Sequence, residues 1–187
     1  MKGKLLIQNG RVLPMTGKVI PKGSVLVENG KITAVAERIE VPDTGSTEII
    51  DASGCLVMPG LIEAHCHVGI TEEKKGMEGD DCNENVSPVT PWLRAIDAVN
   101  TMDAAFDDAV RAGITSIMAG PGSSNVVGGQ FAFIKTKGRR IDDLIVKAPA
   151  AMKIAFGENP KVNFSGQEKS PVTRMAIAGI LREELHK

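Results

Sequence analysis

The sequence predicts an α/β protein in two parts, a small antiparallel β region over 1–58 and a stretch of alternating strands and helices over 59–187. Two Asn-Gly pairs, Asn9-Gly10 and Asn29-Gly30, interrupt runs rich in Val, Ile and Leu in the first part, which is a strong short-range hairpin signal. Helical periodicity begins only after Pro59, and from there strand-like and helix-like segments alternate. Alternation of that kind argues for a parallel sheet.

Taken in order, "KLLIQNGRVL" and "SVLVENGKITAVA" read as hairpin strands, and shorter β pieces follow at Glu48 to Asp51 and Cys55 to Val57, set off by Asp, Ser and Gly turn chemistry. "GLIEAHCHV" is a buried strand. "TMDAAFDDAVRAG" is an amphipathic helix with Met102, Ala105, Phe106, Ala109 and Val110 on one face and Gly113 at its C′ position. "ITSIMAG", "FAFIKT" and "AAMKIAF" are further strands. Ser170 and Pro171 fit the N-cap and first position of a final helix, "PVTRMAIAGILREELHK".

Composition narrows the function classes. The 187 residues are 42% hydrophobic and 24% charged with a formal net charge of -1, the profile of a globular chain of one or two domains. No basic cluster exceeds "KGRR" at Lys137 to Arg140, so neither nucleic acid nor an anionic membrane is an expected partner. "MKGKLLIQNGRV" lacks a signal-peptide core and no run is long enough to span a membrane, so the expected location is cytoplasmic. Cys55, Cys66 and Cys82 are odd in number with no C-x-x-C pair, which argues for free thiols.

Two of the chain's three histidines, His65 and His67, stand two residues apart at the end of the apolar run "MPGLIEAHCHVG". In a strand, residues i and i+2 share a face, about 7 Å apart at the backbone, and their imidazoles can close onto one ion. Cys66 then points to the opposite face, as a small packed residue. Neutral imidazole suits zinc, iron or nickel.

A long polar stretch, "ITEEKKGMEGDDCNENVSPVTPW", leaves from the same strand end, where parallel sheets place their ligand sites. Its acidic residues, Glu78, Asp80, Asp81 and Glu84, read as a solvated face. A second loop, "GPGSSNVVGGQ", lacks the Gly-Lys-Ser/Thr ending of a nucleotide P-loop. Ser123, Ser124, Asn125 and Gln130 are its candidates for hydrogen-bonding a substrate carboxylate or amide, with a plain turn as the competing reading.

"LVMPGLIEAHCHVG", preceded by "VENGKITAV" and "IIDASG" and followed by "PVTPWLRAIDAVN", "AGITSIMAGPGSSNVVGGQ" and "MKIAFGENP", resembles the N-terminal portion of the amidohydrolase superfamily, specifically its imidazolonepropionase-like and prolidase-like amidohydrolases. The resemblance implies a (β/α)8 TIM barrel beside an antiparallel β-sandwich, so that 1–58 is part of a composite sandwich domain and 59–187 the first half of the barrel. It implies a metal-dependent hydrolase of C–N bonds in cyclic amides or peptide-like substrates, acting through metal-activated water, with zinc the expected ion, one or two per complete site. His65 and His67 become metal ligands. Lys153, as a bridging carbamate, and Glu158 become rival further ligands; a strand-end lysine reaching to solvent and a turn glutamate are the plainer readings.

The resemblance stops short at the end of the chain. Gly60 to Lys187 is 128 residues, whereas a complete barrel takes about 250. His186 sits near the C-terminus, and no residue stands for the family's later-strand histidines or its proton-relay aspartate. The expectation is a chain that, besides a small-molecule substrate, takes a complementary C-terminal polypeptide or self-associates. The alternative is a catalytically inactive fragment or interaction subunit that keeps the fold signature, and more distant still is an unrelated α/β binding protein.

Overall fold

The computed structural model describes residues 3–41 and 45–187 and divides the chain into two units, Met1–Pro59 and Gly60–Lys187. The first is a mixed five-stranded sheet. Strands β1 (Lys4–Val12), β2 (Ile20–Glu28), β3 (Lys31–Ala36) and β4 (Thr47–Asp51) lie in the order β3-β2-β1-β4, and β5 (Leu56–Val57) also pairs with β1. Asn29 and Gly30 form the β2–β3 hairpin, both with positive φ (52° and 78°), as the twist-matching two-residue turn requires.

Asn9 and Gly10 do something else. Asn9 also has positive φ (66°), but it lies inside β1, where the register slips between Ile7 and Gly10 and two residues oppose one on β2. This is a β-bulge, which an Asn-Gly pair suits for the same conformational reason that it suits a turn. Asn9 Nδ2 donates to Asp51 Oδ1 at 3.0 Å, tying the bulge to β4. The expected antiparallel sheet is mixed because the β2–β3 hairpin acts as the crossover from β1 to β4, and β4 and β5 return parallel to β1.

The second unit holds a four-stranded sheet in the order β6-β7-β8-β9, from β6 (Leu61–Cys66), β7 (Ile114–Ala119), β8 (Val127–Lys135) and β9 (Ile145–Ile154). Only β6 and β7 are parallel; β8 and β9 run antiparallel to their neighbours. Connection length explains the departure from the expected parallel sheet. A parallel pair needs a crossover of a dozen residues or more. The chain between β6 and β7 is long and carries α1 (Ala104–Arg111), whereas 120–126 and 136–144 suffice only to turn back, the latter containing the single turn α2 (Ile141–Leu144). No barrel closes.

Phe106 on α1 packs with Ile117, Ala119, Ala132, Ile134 and Leu144 to form the core over this sheet. Gly113 follows the helix at φ 82°, its N–H bonded to the Val110 carbonyl, as its C′ position demands. After α3 (Glu158–Ser165), α4 (Arg174–Leu185) lays the buried Ile177 against Val126 and Val127. Its cap is Thr173, whose side-chain oxygen accepts from Ala176 N at 3.1 Å, three residues later than the expected Ser170. The helix starts where a hydroxyl meets a free N–H.

Both edge strands of this sheet carry exposed apolar side chains: Leu61 (49%) and Ile62 (62%) on β6, Val146 (51%) and Met152 (40%) on β9.

Candidate metal centre

His65 is the fifth residue of β6 and His67 lies just past its end, so strand alternation puts both on one face. Their rings meet edge to face with centroids 5.2 Å apart. Cys66 turns the other way, packs against the Phe106 core and donates from Sγ to the Met118 carbonyl at 3.6 Å. Burial pushes its thiol pKa up, so it is not a thiolate near neutral pH.

Each imidazole has its nitrogens assigned by a neighbour. His67 Nδ1 lies 2.7 Å from the Gly120 carbonyl, and since a carbonyl only accepts, Nδ1 carries the proton and Nε2 keeps its lone pair. Lys153, 88 residues along the chain on β9, brings Nζ to 3.3 Å from His65 Nε2. The lysine Nζ donates in this contact, so His65 Nε2 accepts through its lone pair. Phe131 on β8 backs His65, ring centroids 5.4 Å apart. Although His65 is exposed as a residue, shielding of its ring lowers its pKa first, with the nearby Lys153 and His67 adding to the effect. The ring is therefore neutral at neutral pH, the form that binds metal.

The sheet thus brings together His65, His67 and Lys153. Glu158 is exposed at the first position of α3. Among the described residues, no three His, Cys, Asp or Glu side chains gather as a metal-binding group, so Glu158 does not join the histidines. Two imidazoles on one face with Lys153 beside them are a donor set of the kind that suits a borderline divalent ion.

The two loops beside this pair are fastened to each other. Asn125, only 1% exposed, donates from Nδ2 to the carbonyls of Glu84 and Ser87 (2.6 Å), while its Oδ1 is buried without a partner. Gln130 donates from Nε2 to the Pro91 carbonyl at 3.0 Å, and Ser124 N donates to Asn83 Oδ1 at 3.0 Å. Ser123 Oγ accepts from Asn159 Nδ2. Of the acidic residues in the long loop, Glu78, Asp80, Asp81 and Glu84 are exposed.

Gly120 and Phe131, which touch the histidines, are not singled out by the sequence. Only the tight fit of a glycine carbonyl and an aromatic face in three dimensions marks them.

No protein-family model matches the chain. An amidohydrolase of Thermotoga maritima has a solved structure that matches with a TM-score of 0.91 and 42% identity, covering 97% of this chain and 46% of that one. This chain belongs to the amidohydrolase superfamily, over its N-terminal portion. The amidohydrolase tasK of Hapsidospora irregularis is 34% identical over 161 residues, 79% of this chain and 16% of the relative. A dihydroorotase of Elusimicrobium minutum is 28% identical, covering 97% of this chain and 45% of the relative. The chain therefore spans less than half the length of each of these amidohydrolase relatives. No helix among the described residues is long and apolar enough to cross a membrane.

Proposed function

We propose that this chain supplies the N-terminal portion of a metal-dependent amidohydrolase that hydrolyses C–N bonds of cyclic amides or peptide-like substrates. The observation that carries the reading is the convergence of Lys153, from the last strand of the sheet, on His65 at the end of the first, beside His67. In this reading the parallel pair β6–β7 with its α1 crossover is the barrel-like part of the chain, and the Met1–Pro59 sheet is part of a composite β-sandwich.

His65 and His67 hold the ion, zinc being the metal that suits them, through the Nε2 lone pairs: His67 Nε2 is left free by the Gly120 contact to Nδ1, and His65 Nε2 becomes free when Lys153 exchanges its hydrogen bond for a ligand role. When bound, the metal polarises a scissile carbonyl and lowers the pKa of a coordinated water. Lys153, as the neutral amine, forms an N–C bond to carbon dioxide and releases a proton; the resulting carbamate turns a hydrogen-bond donor beside His65 into an anionic oxygen donor. Ser123, Ser124 and Asn125 lie in the 120–126 connection and Gln130 on β8; the Asn125 and Gln130 amide groups already hold backbone carbonyls, which leaves the Ser124 hydroxyl the freest to meet substrate.

Exposed Leu61, Ile62, Val146 and Met152 on the two sheet edges support a complementary C-terminal polypeptide, or a second copy, as the structural partner. The test is reconstitution. The chain is combined with the remaining portion of the Thermotoga maritima amidohydrolase in the presence of zinc and assayed on a panel of cyclic amides and dipeptides. Turnover that His65→Ala abolishes is expected; a well-formed, metal-loaded complex with no turnover on any C–N substrate would favour a non-catalytic subunit.

A further inference from the structure

Gly120 touches both histidines, one through its carbonyl and the other through the ring that occupies its missing side chain. Its N–H donates to the Cys66 carbonyl at 3.2 Å, between His65 and His67, and its carbonyl accepts from His67 Nδ1 at 2.7 Å. A β-carbon at this position would fall on the Phe131 ring, within about the length of a bond and a half of three of its atoms. Phe131, 4% exposed, in turn lies against His65 at a centroid distance of 5.4 Å and a tilt of 35°.

From this contact we propose that Gly120 and Phe131 are positioning residues of the histidine pair, a single wedge that fixes the tautomer of His67 and the ring plane of His65 together. The proposal rests on the reading of the two histidines as metal ligands. Gly120 holds the His67 proton on Nδ1, which leaves Nε2 as the only metal-binding nitrogen. Phe131 can reach His65 only because position 120 has no side chain. Any larger residue there pushes the ring toward His65 and the carbonyl away from His67, so the two imidazoles lose their common aim at once. Neither residue is a ligand.

The test uses the full chain, metal-free, and reads the histidine tautomers by two-bond proton–nitrogen NMR at alkaline pH. The wild type is expected to show His67 in the Nδ1–H form alone, with nuclear Overhauser contacts between the His65 and Phe131 rings. Gly120→Ala should give a mixed His67 tautomer. Phe131→Leu, which keeps the Gly120 carbonyl and avoids the clash, covers the case in which Gly120→Ala fails to fold; it should lose the fixed His65 orientation. Cobalt(II) affinity, followed by its visible absorption, should fall about 10- to 100-fold in both variants, the range for lost partners of ligating histidines. An unchanged tautomer in Gly120→Ala together with unchanged cobalt affinity in Phe131→Leu would overturn the proposal, even if thermal stability dropped. A wild type that binds no cobalt overturns the metal reading alone, since the tautomer measurement still decides whether Gly120 and Phe131 set the pair.

Discussion

Replacing Asn125 with alanine is expected to destabilise the Gly60–Lys187 unit by about 2 kcal/mol. Its Nδ2 holds the carbonyls of Glu84 and Ser87 from a fully enclosed position, and each such bond contributes roughly 1 kcal/mol net. Removal also strands two carbonyls, but Glu84 is exposed and Ser87 half-buried, so water reaches them and that penalty stays small. The orphaned Oδ1 pulls the other way, since its removal relieves a buried acceptor worth about 1–3 kcal/mol. The lost packing of the side chain, about 1–2 kcal/mol, roughly offsets this gain. Asn125→Asp separates the effects further. A carboxylate there faces two carbonyl oxygens with nothing to donate, so its cost exceeds that of alanine near neutral pH and shrinks as the pH falls and the acid gains a proton to share. The assay is urea unfolding followed by Trp92, the single tryptophan of the chain, which lies between the two residues whose carbonyls Gln130 engages. Equal stability of wild type and both variants would refute the idea that Asn125 fastens the two loops.

Three further outcomes are expected. Asp51 accepts from Ser53 and Asn9, which hold its carboxyl below the usual aspartate range; an NMR titration should place its midpoint low, and Ser53→Ala should move it up toward ~3.9. Because the folded pKa is the depressed one, its contribution to stability is present above the unfolded pKa and disappears as the pH falls through the folded value. Thr173→Ala should cost about 1 kcal/mol in thermal or urea unfolding, whereas Ser170→Ala should cost little, because Thr173 rather than Ser170 caps α4. Ile134→Ala, at a position with no exposure in the sheet core, should cost about 2–5 kcal/mol and serves as the positive control for unfolding of this unit.

Local chemistry made much of this legible from the sequence. The Asn29-Gly30 hairpin, the α1 helix ending at Gly113, and the shared face of His65 and His67 all follow from contacts a few residues long. What failed to read depends on partners far apart. Asn9-Gly10 has the same dihedral preference as Asn29-Gly30, and only its pairing with β2 and Asp51 makes it a bulge. Strand direction in the second sheet hinges on connection length, which the alternation of strands and helices conceals. Lys153 is a candidate through resemblance, but the spacing of residues 65 and 153 holds no sign that their side chains meet. Gly120 opens the Gly-rich loop that the sequence marks, but nothing there ties it or Phe131 to the histidines, because a glycine's service is the space that it leaves.

The most direct test of the central claim is the metal content of the purified chain after exposure to zinc, read by native mass spectrometry for the wild type, His65→Ala, His67→Ala and Lys153→Met. The account predicts bound zinc in the wild type, loss in both histidine variants and weakened retention in Lys153→Met. Zinc that stays bound after both histidines are removed, or a wild type that takes up none, would contradict it.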